Sequence, residues 1–329
     1  MAKRSRILWL VTLLASGCAG TAVRDTAASI ADAAGRSNRS DQLFYLDWRG
    51  RVLTMAIDGS EERTLVTRDG GGADGIAVHD GYLYWTNMGN AKRQDGFILR
   101  ATLAGAQVTT IVESGATHTP KQLKIDPVHE KLYWSDREGM RVMRSNLDGS
   151  DLETLVTVAE GESARQDAAN WCVGIGLDIE NGMFYWTQKG PDNGGRGTIK
   201  RAGFDMPAGQ TSENRSDIEV LFDGLPEPVD LEIDPAGGWV YWTDRGDDTI
   251  NRAPLNPSGA SNALDRSDKE ILVTGVSEAI GIALDLDGGR MYFTAMGSRE
   301  VLAADLDGSR VESLARSRGV LTGITVTRR

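Results

Sequence analysis

The chain has 329 residues, a formal net charge of −11 and hydrophobic residues at 40% of its positions. This length suits one large domain or two small ones. The acidic balance argues against nucleic acid as a partner, because phosphate binding requires a basic surface.

A secretory leader is predicted at the N-terminus. Three basic residues precede an apolar run over 7–15 that is too short to span a bilayer and has the layout of a signal peptide. Residues 15–18 resemble a bacterial lipobox, which predicts a leader over 1–18 and lipidation of Cys18. The alternative is ordinary secretion, with cleavage among the small residues that follow. We expect an exported protein of the bacterial cell envelope, in the periplasm or at the outer surface, with membrane contact only through an N-terminal lipid anchor.

Residues 19–41 are rich in Ala, Ser, Asp and Arg and lack strand patterning, which is typical of a flexible tether. Beyond them an aromatic-rich tetrad recurs six times, with first positions 40, 49, 52, 56 and 51 residues apart. The tetrads are Phe44-Tyr45-Leu46-Asp47, Tyr84-Trp85-Thr86-Asn87, Tyr133-Trp134-Ser135-Asp136, Tyr185-Trp186-Thr187-Gln188, Tyr241-Trp242-Thr243-Asp244 and Tyr292-Phe293-Thr294-Ala295. A period near 50 exceeds any single strand or helix, so each repeat is a supersecondary unit.

Every repeat contains short β-branched and aromatic runs between turn signals. A segment such as GIAV at 75–78 comes before the tetrad, and a run such as 141–144 comes after it. Asp-Gly, the strongest short-range hairpin signal, recurs at 58–59, 148–149 and 307–308. Four strands per unit and six units predict an all-β fold, a six-bladed β-propeller over 42–329.

The two ends of the repeat region predict ring closure. The first unit starts with its tetrad strand and lacks the Gly-Ile segment that precedes the other tetrads. Residues 323–326, GITV, form such a segment with no tetrad after it. We therefore expect the C-terminal strand to supply the inner strand of the first blade, which leaves no open sheet edge in the ring.

These tetrads, followed by Leu-Asp-Gly-Ser as at 147–150, resemble the YWTD repeats, the class B repeats of low-density-lipoprotein receptors. The resemblance covers 42–329 and implies a six-bladed propeller, but not lipoprotein binding, because a fold does not fix a function. It also implies that the fourth tetrad residue, as in Asp47, Asp136 and Asp244, ties neighbouring blades together. Asn87, Gln188 and Ala295 depart from that pattern.

The loops before the inner strands and after the tetrad strands share one face of a propeller, around the mouth of the central channel, where a ligand site is expected. The residues that follow the six tetrads are Trp48, Met88, Arg137, Lys189, Arg245 and Met296. Three successive blades thus present a cation and three present a large apolar group. Arg and Lys bind carboxylates and phosphates, so the pattern predicts an anionic ligand with an apolar body. Ordinary surface charge is the alternative.

The inner strands contain a second break in the repeat. Four blades have Gly at an aligned position and a small residue two positions later, whereas two blades have Gln122 with Lys124 and Asp230 with Glu232. Buried charges require partners. The pattern predicts either a structural ion pair between Lys124 and Glu232 or a polar channel floor that binds ligand or water.

The loops before the inner strands contain the candidates for catalysis. His118 is a candidate proton carrier, with Glu227 or Glu278 as its partner. Cys172 becomes a nucleophile only if its pKa is lowered, and otherwise it is a buried hydrophobe. As the only cysteine after Cys18, it leaves the propeller without an internal disulfide. Other candidate ligand-binding residues around the channel mouth are Asn87, Lys121, Gln122, Trp171, Cys172 and Asp230.

No cofactor is indicated by the sequence, which lacks zinc-ligand spacing and a phosphate-binding loop. Calcium remains an option through oxygen ligands at Asn87, Glu227, Asp230 and Glu278. We expect a monomer that binds an anionic, partly apolar small molecule or peptide segment at the channel mouth. The alternatives are a hydrolase, lyase or isomerase acting at the same mouth, and a protein-docking scaffold.

Overall fold

The computed structural model describes residues 41–68, 70–256, 263 and 265–327. The leader, Cys18 and all of the predicted tether except Asp41 lie outside the described residues. The described residues form six four-stranded antiparallel sheets, so the predicted six-bladed propeller is confirmed.

Each blade is given from the channel outwards. Blade 1 contains β24 (Leu321–Thr327), β1 (Gln42–Asp47), β2 (Arg51–Ala56) and β3 (Arg63–Thr67). Blade 2 contains β4 (Ala73–His79), β5 (Tyr82–Asn87), β6 (Gly96–Thr102) and β7 (Thr109–Thr117). Blade 3 contains β8 (Pro120–Asp126), β9 (Lys131–Asp136), β10 (Arg141–Asn146) and β11 (Glu153–Thr157).

The remaining blades follow the same order. Blade 4 contains β12 (Cys172–Asp178), β13 (Met183–Gln188), β14 (Gly197–Gly203) and β15 (Glu219–Leu225). Blade 5 contains β16 (Pro228–Asp234), β17 (Trp239–Asp244), β18 (Thr249–Pro254) and β19 (Glu270–Thr274). Blade 6 contains β20 (Ala279–Asp285), β21 (Arg290–Ala295), β22 (Glu300–Asp305) and β23 (Glu312–Arg316). One helical turn, α1 (Glu162–Arg165), and a 3-10 turn (Ala168–Asn170) precede blade 4.

The hydrophobic core lies between successive blades. Phe44 of blade 1 clusters with Trp85 of blade 2, and Tyr84 of blade 2 clusters with Trp134 of blade 3. The tetrad aromatics are almost completely buried. Because the two faces of each tetrad strand pack against different neighbours, the repeated aromatic pair holds the whole ring together.

C-terminal closure is confirmed. β24 pairs with β1 in an antiparallel register that runs from Gln42 opposite Thr327 to Asp47 opposite Leu321. Blade 1 therefore joins the two ends of the repeat region. Among the described residues, no helix has the length and apolar character needed to cross a membrane.

The third tetrad residue ties neighbouring blades. Its hydroxyl donates to a backbone carbonyl of the next inner strand, as in Thr86 to Lys121 at 2.8 Å and Thr187 to Val229 at 2.7 Å. Blade 1 has Leu46 at this position. There Thr322 of β24 supplies the hydroxyl and donates to the carbonyl of Ala73 at 3.0 Å.

The fourth tetrad residue holds the loop that leads into its own blade. Asp136 accepts hydrogen bonds from the backbone N–H groups of His118 and Thr119, and Asp244 accepts one from Glu227. The substituted blades keep this contact with other groups. Asn87 donates to the carbonyl of Gly71 at 2.8 Å, Gln188 donates to that of Ala169 at 2.5 Å, and Asp248 replaces Ala295 by accepting from Glu278 at 2.8 Å.

Candidate ligand-binding site

Each inner strand contains a β-bulge opposite the third tetrad residue, where two residues face one. The second bulged residue is the aligned Gly or its substitute. At Gly75 an added Cβ would lie 2.5 Å from the carbonyl oxygen of Lys121, so the close approach of neighbouring inner strands requires Gly there. The first bulged residue lines the channel mouth. These six residues, the inner ring, are Asp74, Lys121, Val173, Val229, Ile280 and Thr322.

Two further sets surround the inner ring. The lead-in ring lies two residues before it and consists of Gly72, Thr119, Trp171, Glu227, Glu278 and Val320. The rim ring consists of the residues after the tetrads, Trp48, Met88, Arg137, Lys189, Arg245 and Met296. In every blade the rim residue donates its backbone N–H to the carbonyl of the lead-in residue, at 2.8–3.2 Å. This repeated bond places corresponding side chains at equivalent points around the mouth.

The rings enclose a cavity of about 390 Å³ at the channel mouth, a volume typical of small-molecule sites. Its lining includes the whole inner ring, five rim residues and Glu227 and Val320 of the lead-in ring. Met88 is buried and does not line it. The cations Arg137, Lys189 and Arg245 lie on the rim of blades 3, 4 and 5. The inner-ring residues Val173, Val229 and Ile280 of blades 4, 5 and 6 form an apolar cluster with Met296 of the rim.

The three predicted cations line this cavity, and each one has a carboxylate partner. Glu227 lies 2.5 Å from Nζ of Lys189 and 2.9 Å from Nη1 of Arg245. Arg245 also contacts Glu278 at 2.8 Å, and Lys189 contacts Asp192 at 2.7 Å. Glu227 therefore bridges the cations of blades 4 and 5. An anion that binds Lys189 or Arg245 has to compete with this carboxylate.

Arg137 pairs with one carboxylate, whereas Lys189 and Arg245 each pair with at least two. Nε and Nη2 of Arg137 contact Glu138, and its guanidinium stacks on Trp171 with 5.0 Å to the ring centroid. Among the described residues, Nη1 of Arg137 has no hydrogen-bond partner. Trp171 also lies beneath Lys189, at 5.7 Å. This indole thus orients two cations of the mouth.

Lys121 forms the polar part of the inner ring together with Asp74. Its ammonium donates to Oδ2 of Asp74, and Gln122 donates to Oδ1 of the same carboxylate at 3.0 Å. Burial lowers the pKa of Lys121, although Asp74 opposes the shift. Lys121 and Arg137 are close enough to interact electrostatically, so blade 3 supplies two neighbouring cations to the cavity.

The ion pair predicted between Lys124 and Glu232 is confirmed. Nζ of Lys124 lies 2.7 Å from Oε1 of Glu232, so the pair links blades 3 and 5. Burial disfavours the charged amine, but the carboxylates of Asp230 and Glu232 outweigh it and raise the pKa of Lys124. Asp230 is fully buried and accepts from the N–H groups of Leu231 and Ile282. It therefore contacts backbone and lies outside the cavity lining.

Stability should respond to pH through the buried carboxyls. Burial raises the pKa of Asp244 to about 7, and that of an unfolded Asp is about 3.9. The folded state therefore holds this proton more tightly and loses stability as the pH rises through that window. Asn has no carboxyl group to titrate, so Asp244→Asn removes this pH-dependent loss of stability. The N–H groups of Glu227 and Gly246 both donate to Oδ1 of Asp244, and the amide oxygen of Asn replaces that acceptor.

The free energy of unfolding of Asp244→Asn, relative to the unsubstituted protein, should improve between about pH 4 and pH 7 and then level off. The gain should be on the order of 1–4 kcal/mol. Denaturant unfolding across this range measures it. A constant difference between the two proteins would show that Asp244 titrates normally.

His118 lies apart from the two glutamates proposed as its partners. Its backbone bonds to Asp136, and its Nε2 lies 2.9 Å from the carbonyl oxygen of Ala91. It lines a separate polar cavity together with Arg141 and Arg165. Glu227 and Glu278 instead share Arg245 at the channel mouth. The fold therefore does not bring the suggested acid–base pair together.

Cys172 is completely buried, and burial raises the pKa of its thiol, which leaves it protonated at neutral pH. It packs with Ile175 and Trp186 in the core of blade 4. Its environment is that of a small hydrophobe rather than of a nucleophile.

The oxygen donors suggested for calcium do not converge. Glu227 and Glu278 bind cations, Asp230 accepts backbone N–H groups, and Asn87 bonds to Gly71 and Gly89. Across the described part of the chain, no group of three or more His, Cys, Asp or Glu residues is arranged to hold a metal ion.

The apolar half of the inner ring was missed by sequence reasoning. Val173, Val229 and Ile280 directly precede the aligned Gly or Asp and look like ordinary strand residues. A comparison of that position across the blades would have shown three apolar residues in succession, followed by Thr322, Asp74 and Lys121.

Comparison with known proteins identifies the family. The chain is 42% identical over 289 residues to a Pyricularia oryzae protein named low-density lipoprotein receptor-related protein 1, and the match covers 84% of this chain and 92% of that protein. The chain belongs to this family of low-density lipoprotein receptor-related proteins. No family model matches it.

Two further proteins are similar to the chain, and the second of them shows the propeller fold alone. A Cochliobolus heterostrophus protein named 3-hydroxyacyl-CoA dehydrogenase-like protein LAM1 is 35% identical over 290 residues, and the match covers 84% of this chain but 61% of that protein. A solved nidogen/laminin complex contains a chain that matches with a TM-score of 0.69 at 20% identity, covering 88% of this chain and 98% of that one. The propeller fold and these similarities fit a ligand-binding or docking propeller.

Proposed function

We propose that the protein is a binding propeller that takes an anionic, partly apolar small molecule or peptide segment at the channel mouth. The observation that carries this proposal is the cavity of about 390 Å³ in which the cations of blade 3 face an apolar wall. The anionic group binds Arg137 and Lys121, and the apolar body packs on Val173, Val229 and Ile280. Lys189 and Arg245 contribute less, because each of them pairs with at least two carboxylates, whereas Arg137 and Lys121 each pair with one.

Protein docking is the second candidate. It is favoured by Trp48, whose side chain is 41% exposed at the mouth beside Met296 and Val320. The other exposed large hydrophobics of the described chain, such as Val128 and Ile271, lie away from this face. A broad docking surface would carry a larger apolar patch, so a ligand seated in the cavity is the stronger proposal.

An enzymatic role has less support. General acid–base catalysis requires a base within hydrogen-bond reach of its partner in one pocket. His118 lies in a different cavity from Glu227, and Glu227 is held between two cations. The dehydrogenase-like name of the Cochliobolus protein finds no counterpart in a dinucleotide site: residues 70–75 have the glycine spacing G-x-G-x-x-G, but they lead into strand β4 and not into a helix.

Octanoate serves as a probe of the proposed site. Arg137→Met should weaken octanoate binding by about 1.5–3 kcal/mol, the scale of a charge-assisted hydrogen bond, and should leave the neutral octanamide unaffected. Met already follows the tetrads of blades 2 and 6, so the substitution should preserve the fold. Titration calorimetry or saturation-transfer NMR would measure both affinities.

Arg310→Met is a suitable control, because that side chain is 71% exposed and pairs with Asp305 away from the mouth. It should leave octanoate binding unchanged. Added salt should weaken octanoate binding less than it would at an exposed patch, since the mouth is partly shielded. Undiminished binding by a variant with Met at 137, 189 and 245 together would disprove the cationic site.

We also propose that the chain is exported and anchored through Cys18. A leader with this charge and apolar pattern is cleaved on export, and a lipidated Cys18 would then be the first residue of the mature protein. Mass spectrometry of the mature N-terminus should detect an acylated Cys18, and Cys18→Ser should abolish acylation. An unmodified terminus downstream of Cys18 would leave secretion intact and reject the anchor.

A further inference from the structure

The channel mouth is not cationic, because its four cations face five carboxylates. The cations are Lys121, Arg137, Lys189 and Arg245, and the carboxylates are those of Asp74, Glu138, Asp192, Glu227 and Glu278. A purely anionic ligand would add negative charge to a site whose cations are already paired. A ligand that also brings a positive charge adds no net charge to the site.

The carboxylates of the mouth differ in their availability. The side chains of Asp74, Glu138 and Glu227 are 1%, 4% and 3% exposed, so they serve the internal ion pairs. Asp192 is 78% exposed and lies outside the cavity lining on the loop after the blade 4 tetrad, and Glu278 is 39% exposed. Both of its contacts with Arg245 use Oε1, and among the described residues Oε2 of Glu278 has no hydrogen-bond partner.

Glu278 is also held in a fixed position. Its backbone adopts a φ of 51°, in the left-handed region that is uncommon for Glu. Its N–H donates to Asp248 at 2.8 Å, and its carbonyl accepts from Met296 at 3.0 Å. The lead-in loop therefore holds this carboxylate beside Arg245 at the rim, just outside the cavity lining, and Ile280 of the lining follows two residues later.

Glu278 and Arg137 stand on opposite sides of the ring. Arg137 follows the tetrad of blade 3 and Glu278 precedes the inner strand of blade 6, and blades 3 and 6 face each other in a six-membered ring. Between them lie Val173, Val229 and Ile280 of blades 4, 5 and 6. Among the described residues, Nη1 of Arg137 is thus a donor without a partner at one side of the mouth, and Oε2 of Glu278 is an acceptor without a partner at the other. The apolar surface lies between them.

We infer that the ligand is dipolar, with an anionic group bound at Arg137 and Lys121, a cationic group bound at Glu278, and an apolar segment across the channel. This inference rests on the proposed function and narrows its ligand class. An ω-amino acid, or a peptide segment with separated acidic and basic groups, fits this description. Glu278 is then a specificity-determining residue.

Three probes of equal chain length test the inference: 8-aminooctanoate, octanoate and octylamine. At neutral pH they are dipolar, anionic and cationic, respectively. With the full chain, 8-aminooctanoate should bind about tenfold or more tightly than either of the others, the scale of one charge-assisted hydrogen bond. Glu278→Gln should remove most of that advantage and leave octanoate binding equal or tighter. Glu312→Gln, a substitution on outer strand β23, is the matched control and should change nothing.

The outcomes separate this inference from the proposed function. Equal binding of 8-aminooctanoate and octanoate, or an advantage that survives in Glu278→Gln, overturns the dipolar ligand and leaves the anion site standing. Binding of octylamine alone overturns the anion site as well. If none of the three probes binds, both the anion site and the dipolar ligand are rejected for small molecules with an apolar chain.

Discussion

Deletion of residues 320–329 should leave the protein unable to unfold cooperatively. β24 is the inner strand of blade 1, and its Leu321 and Ile324 are almost completely buried. Burial of two such side chains contributes about 3–6 kcal/mol, a large part of the net stability of a domain. Without β24, the backbone groups of β1 lose their ladder partners. The tie from Thr322 to Ala73 is lost as well, so blades 1 and 2 separate.

Calorimetry or circular dichroism during heating would measure this loss. Deletion of 328–329 alone is the control, because those residues follow β24, and it should melt like the full chain. A synthetic peptide of residues 318–329 should restore cooperative melting to the long deletion, since it can pair with β1. A long deletion that melts cooperatively near the temperature of the full chain would contradict closure by β24.

The fold was predictable because its determinants are local and repeated. The tetrad aromatics fill equivalent spaces between blades, so selection for packing leaves the same residues at each period. Gly75, Gly281 and Gly323 recur because the bulges bring neighbouring inner strands too close for a Cβ. The missing first segment and the surplus last one then indicate closure without any knowledge of long-range contacts.

The family resemblance placed the tie between blades one residue too late in the tetrad. The hydroxyls of Thr86 and Thr187 make that tie, whereas Asp136 and Asp244 hold the lead-in loops. Both positions are polar in most repeats, and only the hydrogen-bond partners distinguish their roles. Blade 1 shows the distinction best. It has the apolar Leu46 at the third tetrad position, and the hydroxyl of Thr322 on β24 makes the tie instead.

The site was predictable in part. The positions of Arg137, Lys189 and Arg245 followed from the alignment of the blades, since each comes after a tetrad. Their pairing did not, because Glu227 reaches Lys189 of one blade and Arg245 of another through side-chain geometry that no local pattern shows. The surroundings of His118 were equally unpredictable, since its ring contacts the carbonyl of Ala91 in the loop after β5, and the irregular segment that precedes blade 4 lines the same second cavity.

The partly buried pair between Lys124 and Glu232 should give the largest effect of any single substitution inside the channel. The two side chains are 15% and 22% exposed and belong to blades separated by blade 4. Lys124 also interacts with the buried carboxyl of Asp230. The three charges therefore form one unit, with a single cation between two carboxyls.

This asymmetry distinguishes the two partners. Burial raises the pKa of Asp230 to about 7, and Lys124 opposes that shift. Lys124→Met therefore leaves Glu232 without its cation and favours the protonated form of Asp230, and it should cost about 3–5 kcal/mol of unfolding free energy. Glu232→Met leaves Lys124 still facing Asp230 and should cost less, about 1–3 kcal/mol. The double variant should lose less stability than the two single variants together. It removes both charges of the pair, so that neither is left without its partner. Denaturant unfolding of the four proteins in a double-mutant cycle measures the coupling. Strictly additive losses, or a greater cost for Glu232→Met than for Lys124→Met, would show that the pair does not act as this geometry requires.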